Sequence, residues 1–221
     1  MKKQGKKYLL AAGILLASFV GWTVIVCLWD VRPIGPRGSS VGLSSVNGWF
    51  HALTGVHLWL YALTDWLGLV PIAVALGFAV LGLVQWIKRK SILKVDADLF
   101  VLGGFYIAVM AAYLFFELVV INHRPIEIEG FLEASYPSST TLLTACVMST
   151  AMMQANARIR ARGLRHVVMG VMCGFGCLMV IGRLLSGVHW VTDIIGGLLL
   201  SGALVTLYAA AADFCKKGDC V

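Results

Sequence analysis

The chain of 221 residues is 59% hydrophobic and 13% charged, with a mean hydropathy of +0.86; a soluble domain carries roughly 25% charged residues. A core of this size cannot hide so much apolar surface from water, so the chain calls for a bilayer as its solvent. A disordered polymer, a secreted disulfide scaffold and a coiled coil are excluded by the same arithmetic, and the net charge of +7 is assigned by its distribution.

Six stretches reach the length of about 20 apolar residues that a span requires. They lie at roughly 8–29, 66–87, 98–121, 138–157, 166–186 and 190–212. The first follows Lys2, Lys3, Lys6 and Lys7, as a signal peptide would. Its apolar run continues to Trp29 without a small-residue cleavage site, so it reads as a retained span. The segment 30–65 opens with a turn-rich RPIGPRG, then places Trp49, Phe50, Leu53, Leu60 and Tyr61 at helical spacing. That pattern predicts an amphipathic helix at the outer surface, with His51 and His57 as interfacial residues and not ligands.

Basic residues fix the orientation. Four precede the first span; Lys88, Arg89, Lys90 and Lys94 follow the second; Arg158, Arg160, Arg162 and Arg165 follow the fourth; Lys216 and Lys217 follow the sixth. These are 14 of the 18 Lys and Arg, all on one side of a six-span alternation, which predicts a multi-pass cell-membrane protein with both termini cytoplasmic. The positive charge is thus a topology signal, and no nucleic-acid partner is expected. Trp22, Trp29, Trp49, Trp59, Trp66 and Trp190 are read as an outer aromatic belt, with Trp86 at the inner interface. Cys27, Cys146, Cys173 and Cys177 fall within spans as packing residues. Cys215 and Cys220 fall on the cytoplasmic side, where thiols stay reduced. No metal site is expected.

Four arginines escape the inner clusters. Arg32 and Arg37 sit in the Pro/Gly turn as loop residues, whereas Arg124 and Arg183 lie at outer span ends, where an ionisable group points to function. Three segments meet there: ELVVINHRP (Glu117 to Pro125), YPSSTT (Tyr136 to Thr141) and GRLLSGVHWVTD (Gly182 to Asp193). Pro137 followed by Ser138, Ser139 and Thr140 predicts a helix N-terminus offering hydroxyls and free N–H groups. Two guanidiniums beside it suit a phosphate group. His189 and Asp193, four residues apart, share a helix face, so the carboxylate can orient the imidazole.

These residues resemble the type-2 phosphatidic acid phosphatase superfamily, membrane branch. Its signature runs K-x6-RP, then PSGH, then SR-x5-H-x3-D. The third part is nearly complete here as Arg183, His189 and Asp193, with Gly182 in the Ser position. The resemblance covers the chain from about the second span onward. It implies that His189 attacks phosphorus to give a phosphohistidine, that Asp193 orients and charge-balances it, and that Arg124, Arg183, Ser138 and Ser139 hold the phosphoryl oxygens. It implies neither metal nor cofactor.

Two positions depart from the signature: Glu117 stands where the first motif has Lys, and Thr140 stands where the second has His, the family's usual general acid. A hydroxyl can donate a hydrogen bond but cannot deliver a proton at neutral pH. A lipid alkoxide leaving group, with a conjugate acid of pKa about 16, needs that proton. A phosphate leaving from a diphosphate, with a pKa of about 6, needs little help. Losing general acid catalysis, worth about 10²–10⁴-fold, therefore penalises monoesters and favours lipid diphosphates. Glu117 offers either a surrogate acid, its pKa raised by partial burial in lipid, or a partner for a site arginine. Glu127, Glu129 and Glu133 read as a solvated loop face, and His123 as a loop contact.

The sequence therefore predicts a single all-α domain over 1–221, an integral-membrane bundle of six transmembrane helices with an outer amphipathic segment. The function expected is a lipid phosphatase or phosphotransferase acting on lipid (polyprenyl among them) diphosphates or monophosphates at the outer leaflet. The alternatives are a degenerate member that binds lipid phosphates without turnover, and a small anion transporter. Against the transporter, the ionisable groups gather at one membrane face and line no midplane path.

Overall fold

In the computed structural model, which describes residues 3–215, eight α-helices follow one another without a strand among the described residues. They are α1 (Lys3–Leu28), α2 (Ser44–Thr54), α3 (Leu58–Leu67), α4 (Leu69–Arg89), α5 (Ala97–Leu118), α6 (Ser139–Arg158), α7 (Arg162–Leu185) and α8 (Val191–Cys215). Six are long. Lys2, Lys216, Lys217 and Cys220 of the charge and cysteine readings lie outside the described residues.

Five segments are long and apolar enough to cross a bilayer: Gln4–Leu28, Leu58–Arg89, Ala97–Leu118, Arg162–Leu185 and Val191–Cys215. The stretch read as a fourth span, now α6, is helical but does not meet that standard. It runs through the middle of the bundle, packed by α4, α5, α7 and α8. Thr141, Thr144, Thr150 and Gln154 are accordingly buried against protein. A helix sheathed by other helices faces no lipid, so its hydroxyls and amides cost little where they are satisfied internally. Thr150 Oγ1 donates to the Cys146 carbonyl at 2.9 Å, and Gln154 Nε2 donates to Tyr208 Oη at 2.8 Å.

The longest helix contact is α1 along α8. Phe19 and Val26 are buried there, Trp22 Nε1 donates to the Thr192 carbonyl at 3.1 Å, and Thr23 Oγ1 lies 2.7 Å from Tyr136 Oη. One end of the bundle is closed by charge. Arg158 Nη2 donates to both oxygens of Asp98, at 2.9 and 2.8 Å, while its Nη1 donates to Asp96 at 3.1 Å. Arg89 and Gln85 complete the shell around Asp96. Led by the Arg89 hydrogen bond, these donors hold the Asp96 carboxyl well below the usual range, at about 2.

The opposite end carries the predicted amphipathic segment, resolved into α2 and α3, with α3 leading into α4 at Gly68. A hairpin-like loop spans 122–135, paired at His123 with Ala134 and at Ile128 with Phe131. Arg37, from the turn after α1, clamps it through Glu127 (2.6 Å) and the Gly130 carbonyl (2.9 Å). Two readings change. Trp190 is not part of an interfacial belt: it is buried, and its Nε1 donates to the His123 carbonyl at 2.8 Å. Cys215 is disulfide-bonded, not a reduced thiol.

Candidate active site

Everything the three motif segments contribute lies at this end of the bundle. Asp193 sits in the first turn of α8 and is fully buried. Its Oδ2 accepts from Ser135 Oγ at 2.7 Å and from the Trp190 N–H at 2.9 Å, and its Oδ1 accepts from Asn122 Nδ2 at 3.4 Å. The Trp190 bond is the backward half of a capping box: the carboxylate satisfies an N–H that the start of α8 would otherwise leave unpaired. Those bonds occupy the carboxylate, two of them at Oδ2. His189 Nδ1 lies 3.8 Å from Asp193 Oδ2, beyond hydrogen-bond reach, so the orienting bond expected from the i,i+4 spacing is not formed in this state.

His189 is itself buried, and neither ring nitrogen has a partner. It lies outside the helices, between α7 and α8, on a loop turned by Gly187 at φ +72°. A Cβ at Gly187 would fall 2.2 Å from the Gly55 carbonyl, so the α2–α3 turn packs directly on this loop. His57 N–H donates to the Ser186 carbonyl (2.9 Å) and His51 Nε2 to that of Gly187 (3.2 Å). Burial pushes the His189 pKa below its ordinary value; Asp193 opposes the shift, while the positive charges of Arg124 and Arg183 add to it. The imidazole is neutral at neutral pH, the form a nucleophile requires.

Arg183, at the end of α7, is buried. Its Nη2 donates to Asp65 Oδ1 at 2.8 Å and to Thr140 Oγ1 at 2.9 Å, while Nε and Nη1 have no partner. Arg124 Nε lies 3.0 Å from Glu133 Oε2 in an ion pair without hydrogen-bond alignment, and its Nη1 is unpartnered. Tyr61 joins the two: its ring lies 5.8 Å from Arg124 Cζ and 5.0 Å from that of Arg183.

At the start of α6, Ser138 Oγ is buried and unpartnered, but its N–H is not free as expected: it donates to the Asp193 carbonyl at 3.0 Å. Ser139 and Thr140 face a cavity of about 960 Å³ between α4, α5 and α6. Arg124, Arg183, Asp65, Glu117, Glu133 and His123 stand at its polar end; Leu69, Ile72, Leu76, Val109, Met110, Leu143 and Val147 make an apolar wall. His189 is not among the lining residues. Glu117, on the last turn of α5, is exposed from the protein and lines the cavity.

Sequence reasoning missed Asp65, Tyr61, Ser135 and Asn122. For Asp65 a signal existed: it is a lone carboxylate in an apolar run. The substitution of Gly182 for the motif Ser also finds its cause. A Cβ there would stand 2.6 Å from Thr64 Cγ2, because α3 packs against α7 at that point.

Fold and site together define an all-α membrane protein with a buried arginine, a half-buried arginine and a buried histidine gathered at one end of the bundle. Residues 118–216 match the model of the PAP2 superfamily, so the stretch containing Arg124, Ser138, Thr140, Arg183, His189 and Asp193 belongs to that superfamily, as the motif resemblance implied. Among solved structures, the chain is similar to the first transmembrane PAP2 type phosphatidylglycerolphosphate phosphatase from Bacillus subtilis. The TM-score is 0.60 at 16% identity, covering 92% of this chain and 96% of that one. No curated protein matches the chain.

Proposed function

We propose that the protein is an integral-membrane lipid phosphatase in which His189 attacks phosphorus and forms a phosphohistidine. The observation that carries this reading is a set of buried donors without acceptors: Nε and Nη1 of Arg183, Nη1 of Arg124 and Ser138 Oγ, beside an unpartnered neutral His189. Unmet polar groups of this kind cost about 1–3 kcal/mol each, and a phosphoryl group supplies the acceptors they lack. The apolar wall below them suits a lipid tail.

In the proposed reaction, the guanidiniums and Ser138 and Ser139 hold the phosphoryl oxygens. His189 attacks and the P–O bond to the leaving group breaks, with the displaced oxygen carrying away the electron pair. Water then cleaves the phosphohistidine, releasing phosphate and restoring the imidazole. Asp193 balances the imidazolium charge; from 3.8 Å, a small rotation of His189 brings Nδ1 to it. Thr140 is engaged by Arg183 and is no proton donor, which favours diphosphates over monoesters. The basic clusters at the opposite end of the bundle favour a site at the outer leaflet.

A second reading rests on the same Thr140: a member that binds lipid phosphates without turning them over. Purified protein screened against a panel of lipid mono- and diphosphates separates the two. Phosphate release, inhibited by vanadate, supports the hydrolase; retention of lipid phosphates with no release supports the binder.

A further inference from the structure

Helix α3 carries a single acidic residue, Asp65, one turn after Tyr61, and both reach Arg183. The two partners of the ion pair differ in exposure: the Arg183 side chain is 3% exposed and that of Asp65 is 59%. Arg183 Nη2 has two hydrogens, and both are engaged, one by Asp65 and one by Thr140. A guanidinium grips phosphate through two parallel N–H bonds, either from Nε with Nη2 or from Nη1 with Nη2. Both faces include Nη2. While Asp65 remains in place, Arg183 can offer a phosphate only isolated bonds from the diverging Nε and Nη1. Thr140 is held by a short side chain on the packed helix α6, whereas the Asp65 carboxylate can rotate into solvent.

We propose that Asp65 is a specificity-determining residue that occupies Arg183 in the empty site and must yield it to the incoming phosphoryl group, thereby setting the affinity of the site. This rests on the reading of Arg183 as a phosphate-holding group. It adds a competitor from outside the three motif segments. The carboxylate also repels its rival, so its presence weighs more heavily against a ligand of higher negative charge. Replacing Asp65 with Asn keeps an acceptor for Nη2 but removes the charge, so the competitor weakens while Arg183 keeps its position over Tyr61.

The test measures equilibrium binding of inorganic phosphate and of a short-chain phosphatidic acid to detergent-purified protein. A His189→Ala background removes turnover, so the result does not depend on whether the protein is a hydrolase. Asp65→Asn should tighten binding roughly two- to fivefold, the scale of a part-exposed ion pair, while Asp65→Glu should leave it near the parent value. If Asp65→Asn fails to fold by thermal melting, Asp65→Ser reads the same competition. Tightening for the lipid alone assigns the site to a lipid headgroup, and tightening for inorganic phosphate alone assigns it to the free ion; either supports the inference. Binding that weakens or stays unchanged in the Asn and Ser variants, or that tightens equally in the Glu variant, overturns it. If wild-type protein hydrolyses no lipid while Asp65→Asn still tightens binding, the hydrolase reading fails and this inference stands.

Discussion

Restoring the family's serine at position 182 should damage this protein. The Cβ of a Gly182→Ser variant would lie 2.6 Å from Thr64 Cγ2 and 3.7 Å from Leu60 Cδ1. The first distance falls short of carbon–carbon contact by roughly 1 Å. Thr64 cannot turn away cheaply: it is fully buried, and its Oγ1 donates to the carbonyls of Leu60 (2.8 Å) and Tyr61 (3.0 Å). Helix α3 must therefore back away from α7, at an overpacking cost of about 1–3 kcal/mol. Tyr61 and Asp65 ride on that helix, so their contacts with Arg183 loosen as well. Thermal unfolding of detergent-purified protein should show Gly182→Ser melting several degrees below wild type. Thr64→Ser deletes Cγ2 and keeps the hydroxyl, so the double variant should recover most of the loss, with a coupling of about 0.5–3 kcal/mol. A Gly182→Ser protein that melts with wild type, or a double variant no better than the single, would refute the packing argument.

His189→Ala should abolish phosphate release, and Asp193→Asn should lower it strongly while lipid-phosphate binding persists. Because the His189 pKa lies below its ordinary value of about 6.5, turnover should be flat above that pH and fall on acidification as the nucleophile is protonated; an acid limb above pH 6.5 would contradict the burial argument. Thr140→His should raise monoester turnover selectively, within the roughly 10²–10⁴-fold range of acid catalysis; if instead Glu117→Gln lowers monoester turnover and Thr140→His changes little, Glu117 is the surrogate acid. At the end of the bundle far from the site, Asp96 titrates lower folded than unfolded, so its stabilisation is present above about pH 4 and lost as pH falls through about 2. Asp96 is a third exposed, so Arg89→Ala should cost no more than about 1 kcal/mol through this pair, read from unfolding at pH 7 against pH 3.

The membrane class, the helical fold and the meeting of three motif segments at one end were legible in the sequence, because each rests on short-range features. Apolar run length dictates a span, basic loops dictate alternation, and the spacing of Arg183, His189 and Asp193 dictates their register on one helix–loop–helix. The central position of α6 was not legible. Its apolar share was high enough to resemble a span, and only the packing of four neighbouring helices shows that its hydroxyls face protein. The i,i+4 spacing allowed a His189–Asp193 bond, yet Oδ2 is taken by a capping N–H and by Ser135 Oγ, a donor 58 residues away in sequence. The same holds for Asp65 and Tyr61. Both belong to a helix whose sequence shows only an amphipathic surface segment, and 118 residues separate Asp65 from the arginine it holds. Local patterning determines which elements form and which faces are polar. Which polar group satisfies which is decided where distant segments converge in a medium that leaves buried donors few alternatives.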